Sequence, residues 1–140
     1  MNTDEIAAAN LITRIAQAYC DAQSALSGET NPPIYDRQWQ ACCTVAGRFL
    51  ADPGAITPQL CHHEWRLSQM NASHPQYWPS AARLDWDDLS PTDQYLERAG
   101  LAAMRQALRN HQWEEEERLA AYLQSDAQQQ HDAENWGTKQ

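Results

Sequence analysis

A threonine followed by a proline at positions 57 and 58 fixes where one helix of this chain must begin. The Thr57 hydroxyl can cap the first turn, and Pro58 suits the first helical position, where its missing N–H is not needed. Ser90-Pro91-Thr92-Asp93 repeats the signal, with an acid at the third helical position. On the helix that Thr57 starts, His62 and Trp65 stand three residues apart and share a face. An imidazole beside an indole makes a surface that can stack and hydrogen-bond together.

Apolar spacing fills in the other helices. Ala8, Leu11, Ile12, Ile15, Tyr19, Ala22 and Leu26 recur every three or four residues and predict a first helix from about Asp4 to Ala25. Gly28 through Pro33 break it, and Pro32-Pro33 forces an extended connector. A second helix from about Asp36 to Leu50 should bury Trp39, Cys42, Cys43, Ala46, Phe49 and Leu50, ending at Asp52-Pro53-Gly54. The third runs from Pro58 to about Gln69. The helix that Ser90 starts presents Leu96, Ala99, Ala103, Met104, Ala107 and Leu108, and its small residues, Gly100 among them, admit a close neighbour. Asn71 to Leu89 lacks a long period but holds Tyr77, Trp78 and Trp86. It reads as an aromatic-pinned loop or short β-hairpin, with Trp78 and Trp86 serving either as core anchors or as a ligand wall.

The expectation is a mainly α, compact single domain of about four to five helices, with that aromatic-rich loop or hairpin before the penultimate helix. A helical domain should span residues 1–110. Residues 111–140 should form an acidic, Gln-rich C-terminal helix that frays after Ser125.

Charge narrows the partners. Ten basic residues against 19 acidic give a net charge of −9, which argues against direct nucleic-acid binding through phosphates. No apolar run is long enough for a membrane span and no signal peptide is evident, so a cytoplasmic protein is expected. In that compartment Cys20, Cys42, Cys43 and Cys61 should be reduced. Cys61, His62 and His63 with Cys42 or Cys43 could complete a metal site. The plainer alternative is buried apolar thiols, and the expectation is no metal and no cofactor. Neighbouring helical residues diverge by about 100°, so the two histidines do not readily share a ligand. No nucleophile elbow, phosphate loop or H-E-x-x-H motif is present, and a non-enzyme is expected.

The order of features resembles small phage and bacterial proteins with a ryanodine-receptor repeat-type (RyR) domain. The matching stretches are Ala18-Tyr19-Cys20, Trp39-Gln40, Gly47 to Pro53, Thr57-Pro58 to Trp65, Trp86 to Pro91, and Asp93 to Leu96. They span about residues 11 to 108. Two departures stand out: Gln69 occupies the place of a family Lys, and the Gly-Trp-x-Tyr-Gly segment before His74-Pro75 is missing.

The resemblance implies a non-catalytic recognition module over residues 1–110, for a nucleotide-derived or other small ligand. Its implied site is His62, Trp65, His74 and Trp86, with Arg48, Arg66 and Arg83 to supply positive charge. His62 and Trp65 can equally be a structural pair joining helix to loop. The alternative function is an acidic inhibitor covering a basic surface of a host protein. Asp85, Asp87, Asp88 and Glu114, Glu115, Glu116, Glu117 would carry it, although the glutamate run is also what a solvated helix face looks like. A third reading is self-assembly through Trp113, Leu119, Tyr122 and Leu123 of the C-terminal helix, giving a homo-oligomer.

Overall fold

Asn2 and Glu5 close a capping box at the start of the chain. The Glu5 N–H donates to Asn2 Oδ1 at 2.8 Å, and the Asn2 N–H donates back to Glu5 Oε2 at 3.3 Å. From there α1 runs Thr3–Ser27 in the computed structural model, which describes residues 2–27 and 37–138. The expected Gly28–Pro33 connector lies outside those residues. Three more helices follow: α2 at Arg37–Ala51, α3 at Pro58–Ala72 and α4 at Pro91–Thr138. Both hydroxyl caps form as expected, with Leu60 N–H donating to Thr57 Oγ1 at 3.2 Å and Asp93 N–H to Ser90 Oγ at 3.1 Å.

The fold is thus mainly α, and among the described residues it contains no strand. The hairpin alternative for the aromatic segment is not found. Three single 3-10 turns occupy it instead, at Pro75–Tyr77, Ser80–Arg83 and Trp86–Asp88. Proline starts the first turn and caps the second, and backbone bonds such as Tyr77 N–H to His74 O (2.9 Å) and Ala82 N–H to Pro79 O (3.0 Å) close them. Trp78 pins the segment by donating its indole N–H to Ser73 O at 3.0 Å.

The core is built where α2 packs on both α1 and α3. Ile15, Ala16, Tyr19 and Cys20 of α1 meet Trp39, Ala41, Cys42, Val45, Ala46 and Phe49 of α2. Of the expected α1 stripe only Ile15 and Tyr19 are buried; Leu11, Ile12 and Ala22 are half-buried, and residues 2–10 and Leu26 are exposed. Cys20 and Cys42 form a disulfide joining α1 to α2, which corrects the expectation of four reduced thiols. Periodicity placed Cys42 on the buried face of α2 but left Cys20 off the α1 stripe; their Cα atoms are 6.6 Å apart, within bridging reach. Cys43 and Cys61 are free.

The buried face of α4 is rotated from the one expected. Met104 is buried as expected, but its companions are Glu97, Gly100 and Leu101, whereas Leu96, Ala99 and Ala103 lie at the margins. Gly100 explains the rotation. A Cβ there would lie 2.7 Å from the Tyr19 ring, so only glycine lets that ring rest on the α4 backbone. Arg105 adds a tie to the turn before α3, donating to Ile56 O at 3.1 Å.

The helix expected to stop near Leu108 and restart near residue 111 is one unbroken α4. The sequence from Pro91 meets no proline and, after Gly100, no glycine until Gly137, so nothing breaks the backbone ladder. The segment expected to fray after Ser125 is helical for the same reason. Packing nevertheless divides the chain into two units, Met1–Ala107 and Leu108–Gln140. Among the described residues no helix is long and apolar enough to cross a membrane.

Candidate functional site

Within the first unit, α1, α3, α4, the segment between α3 and α4, and Gln38 of α2 line an open cavity of about 690 Å³. Its α3 wall is the expected pair: the His62 and Trp65 rings stack at 5.9 Å between centroids and 26° between planes. The i, i+3 spacing sets the two rings side by side, and each is then fixed by a bond at its edge. His62 Nε2 donates to Leu84 O at 2.7 Å. The Trp65 indole N–H donates to Gln38 Oε1 at 3.0 Å, and Gln69 Nε2 donates to the same oxygen at 2.8 Å. Gln69, at the position where the resembled family carries Lys, is therefore a buried supporter of Trp65.

Leu89, Pro79 and Ala81 supply the apolar wall, and α1 contributes Cys20, Gln23, Ser24 and Leu26. The α4 wall carries Asp93 and Glu97, four residues apart on one helix face. Glu97 is only 7% exposed. The Tyr19 hydroxyl donates to its carboxylate at 2.7 Å from either oxygen, and Gln23 Nε2 approaches Oε1 at 3.4 Å. Burial pushes the Glu97 carboxyl up to about 7, against the two hydrogen bonds that favour its charged form, with Asp93 adding to the rise. Burial, followed by the nearby Glu97 charge, holds the Tyr19 hydroxyl well above its ordinary value, so Tyr19 remains the donor. Burial likewise raises the neighbouring Cys61 thiol to about 12, which leaves it an inert core group.

The remaining expected ligand residues do not converge on this cavity. Arg66 ties α3 to the loop, donating from Nε to Ala82 O at 2.8 Å and pairing with Asp85. Arg83 donates to Pro75 O and lies over the Trp78 ring at 5.7 Å. Trp86 is half-buried beneath the Arg98 guanidinium, 5.5 Å from its ring centroid. His74 is exposed at the start of the first 3-10 turn, and Arg48 faces Glu64 at 3.8 Å. Among the described residues no lysine or arginine lines the cavity. His63 is exposed while His62 is buried, and no three His, Cys, Asp or Glu groups among the described residues are placed to hold a metal.

Of the acidic groups expected at a partner surface, Asp85 is spent on Arg66, while Asp87 and Asp88 are exposed. Glu114 to Glu117 are all exposed in the second unit, with Glu115 paired to Arg118.

Sequence reasoning missed Glu97, Gln23 and Gln38 as cavity groups, and Tyr19 as the donor that holds Glu97. The available signal was Glu97 in register with Gly100, Leu101 and Met104, a carboxylate inside an i, i+3, i+4, i+7 apolar pattern. No protein-family model, curated protein or solved structure matches the chain.

Proposed function

We propose that this chain is a non-catalytic recognition module that takes a small ligand into the cavity between α1, α3 and α4. One observation carries the reading. The stacked His62–Trp65 pair forms a wall of a cavity of about 690 Å³, a size suited to a small organic molecule. Both rings are held at their edges, so a flat ligand meets a preorganised surface and binding orders little. The resemblance to RyR-type modules supports the same reading. A nucleotide-derived anion fits this lining less well than other ligands, because Arg66 and Arg83 are engaged with the loop and Asp93 and Glu97 line the cavity.

The test is a fragment screen of the isotopically labelled protein by NMR, with the Trp65 indole N–H assigned from the Trp65→Phe spectrum. Ligands of the site should move that resonance together with the His62 and Glu97 amides. A screen whose hits leave all three unmoved, while shifting other surfaces, would overturn the assignment of the cavity as the site.

A second reading, an acidic protein-binding inhibitor within a host cytoplasm, draws on the second unit. There Trp113, Leu119, Tyr122 and Leu123 are exposed on the same helix as Glu114 to Glu117. Those apolar groups also suit pairing between copies. Light scattering of the full chain and of a chain ending at Asn110 separates these roles, since self-assembly through this helix requires the particle mass to drop by whole subunits.

A further inference from the structure

The polar wall of the cavity has a one-sided chemistry. Glu97 is more than nine-tenths buried, yet its neighbours are the neutral donors Tyr19 and Gln23, and no lysine or arginine among the described residues lines the cavity. Asp93 stands one helical turn earlier on the same wall. A buried carboxylate ordinarily comes with a cation, because its lost hydration must be replaced by an opposite charge as well as by hydrogen bonds. The same cavity is also lined by the stacked His62–Trp65 pair, and the indole face is the best of the side-chain π-surfaces for attracting a positive charge. The carboxylates are therefore set in a concave space of ligand size that also has an independent aromatic wall.

We propose that the ligand class of this cavity is an organic cation, a protonated amine carrying a flat apolar group, with its ammonium at Glu97 and Asp93 and its ring against Trp65. This rests on the cavity being the binding site. The ammonium supplies the charge partner that Glu97 lacks, and the Tyr19 and Gln23 donors hold the carboxylate in place to receive it. The apolar group covers Leu89 and Ala81 on the loop side.

Binding then depends on pH. The titratable groups acting on Glu97 are Tyr19 from α1, Cys61 from α3 and Asp93 from α4 itself; Arg105 of α4 acts on Cys61, His62 lines the same cavity, and the lining loop positions Pro79, Ala81 and Leu89 do not titrate. With its carboxyl raised to about 7, Glu97 is largely protonated at pH 6 and charged at pH 8, so an amine binds more tightly at the higher pH and displaces a proton.

Three probes of one size and different charge test this in the full chain: 2-phenylethylamine, 2-phenylethanol and 3-phenylpropionate, titrated by NMR at pH 8 and at pH 6. The amine should bind about tenfold more tightly than either other probe at pH 8, and that preference should shrink at pH 6. In Glu97→Gln, which keeps an acceptor for Tyr19, the amine-to-alcohol ratio should fall toward one. Asp93→Asn, at the less buried position, should lower the ratio by a smaller factor and guards against a folding defect in the first variant. If the alcohol or the carboxylate binds as well as the amine, the cation inference fails while the cavity remains a binding site. If none of the three moves the Trp65, His62 or Glu97 resonances at millimolar concentration, both the cavity reading and the cation inference fall.

Discussion

The two parts of α4 are one helix with two different reasons for existing. From Glu97 to Met104 it buries a face, with Tyr19 laid across Gly100 and the carboxylate of Glu97 under the Tyr19 hydroxyl. From Gln112 to Ala133 every described side chain is exposed, and the helix there relies on propensity and on local pairs such as Glu115–Arg118 and Gln128–Asp132. Such pairs are each worth only about 0.2–0.5 kcal/mol, whereas packing decides the first part. The same backbone geometry is therefore tertiary structure in one stretch and close to a solvated peptide helix in the other.

The sharpest way to break this contrast is to loosen the packed side. The Cys20–Cys42 bridge closes a loop with a sequence separation of 22, for which chain entropy gives about 3 kcal/mol of stabilisation. Reduction, or Cys42→Ala, should lower the melting temperature of the first unit by that equivalent and leave the helical signal of residues 108–138 nearly unchanged. Thiol titration of the unfolded protein should find two reactive cysteines before reduction and four after. Four before reduction would remove the bridge from the account.

Next in size is the buried carboxylate. Glu97 titrates in the folded state near 7, against an ordinary 4.5, so the folded protein holds this proton more tightly than the unfolded chain does. Its stabilising contribution is complete below about pH 4.5 and is lost as pH rises through 7, a swing of at most about 3 kcal/mol that relaxation will trim. Glu97→Gln should consequently stabilise the protein by about 2 kcal/mol at pH 8 and hardly at all at pH 4.5. Denaturant melts at the two pH values read the difference directly, and a pH-independent difference would show that burial is not what governs Glu97.

Gly100→Ala sharpens the comparison further. In an exposed helix that change gains about 1 kcal/mol of propensity. Here the new methyl meets the Tyr19 ring at 2.7 Å, and overpacking should reverse the sign to a loss of about 1–2 kcal/mol. A gain in melting temperature would mean that Tyr19 yields easily and that the α1–α4 contact is loose. The smallest expected effect is truncation after Asn110, which should cost the first unit less than about 1 kcal/mol while deleting helical signal in proportion to the residues removed. A large loss of stability would make the second unit part of the core.

The legible parts of the sequence were those written locally. Thr57-Pro58 and Ser90-Pro91 set two helix starts by chemistry within four residues, and both caps form. The His62–Trp65 pair was legible because i, i+3 spacing alone puts the rings together. What could not be read depended on partners far along the chain. Glu97 finds Tyr19 across 78 residues, and Trp65 finds Gln38 across 27, so the apolar register that marks Glu97 as buried could not name its partner, and the indole's support had no local signature. Arg66 and Arg83 looked like free positive charge because their acceptors are the backbone carbonyls Ala82 O and Pro75 O, which no sequence pattern displays. The 3-10 turns were hidden for a related reason: a single i to i+3 bond leaves no periodicity.

The placement of the tryptophans has an optical consequence. Trp39 and Trp65 are buried in the first unit, whereas Trp113 is 62% exposed in the second. The folded protein should therefore emit as a sum of a blue, quencher-shielded population and a red, quencher-accessible one. Acrylamide added to the native chain will darken Trp113 first, then the half-buried Trp78 and Trp86, and the buried Trp39 and Trp65 last, so one fluorescence titration ranks these sites by exposure without any label.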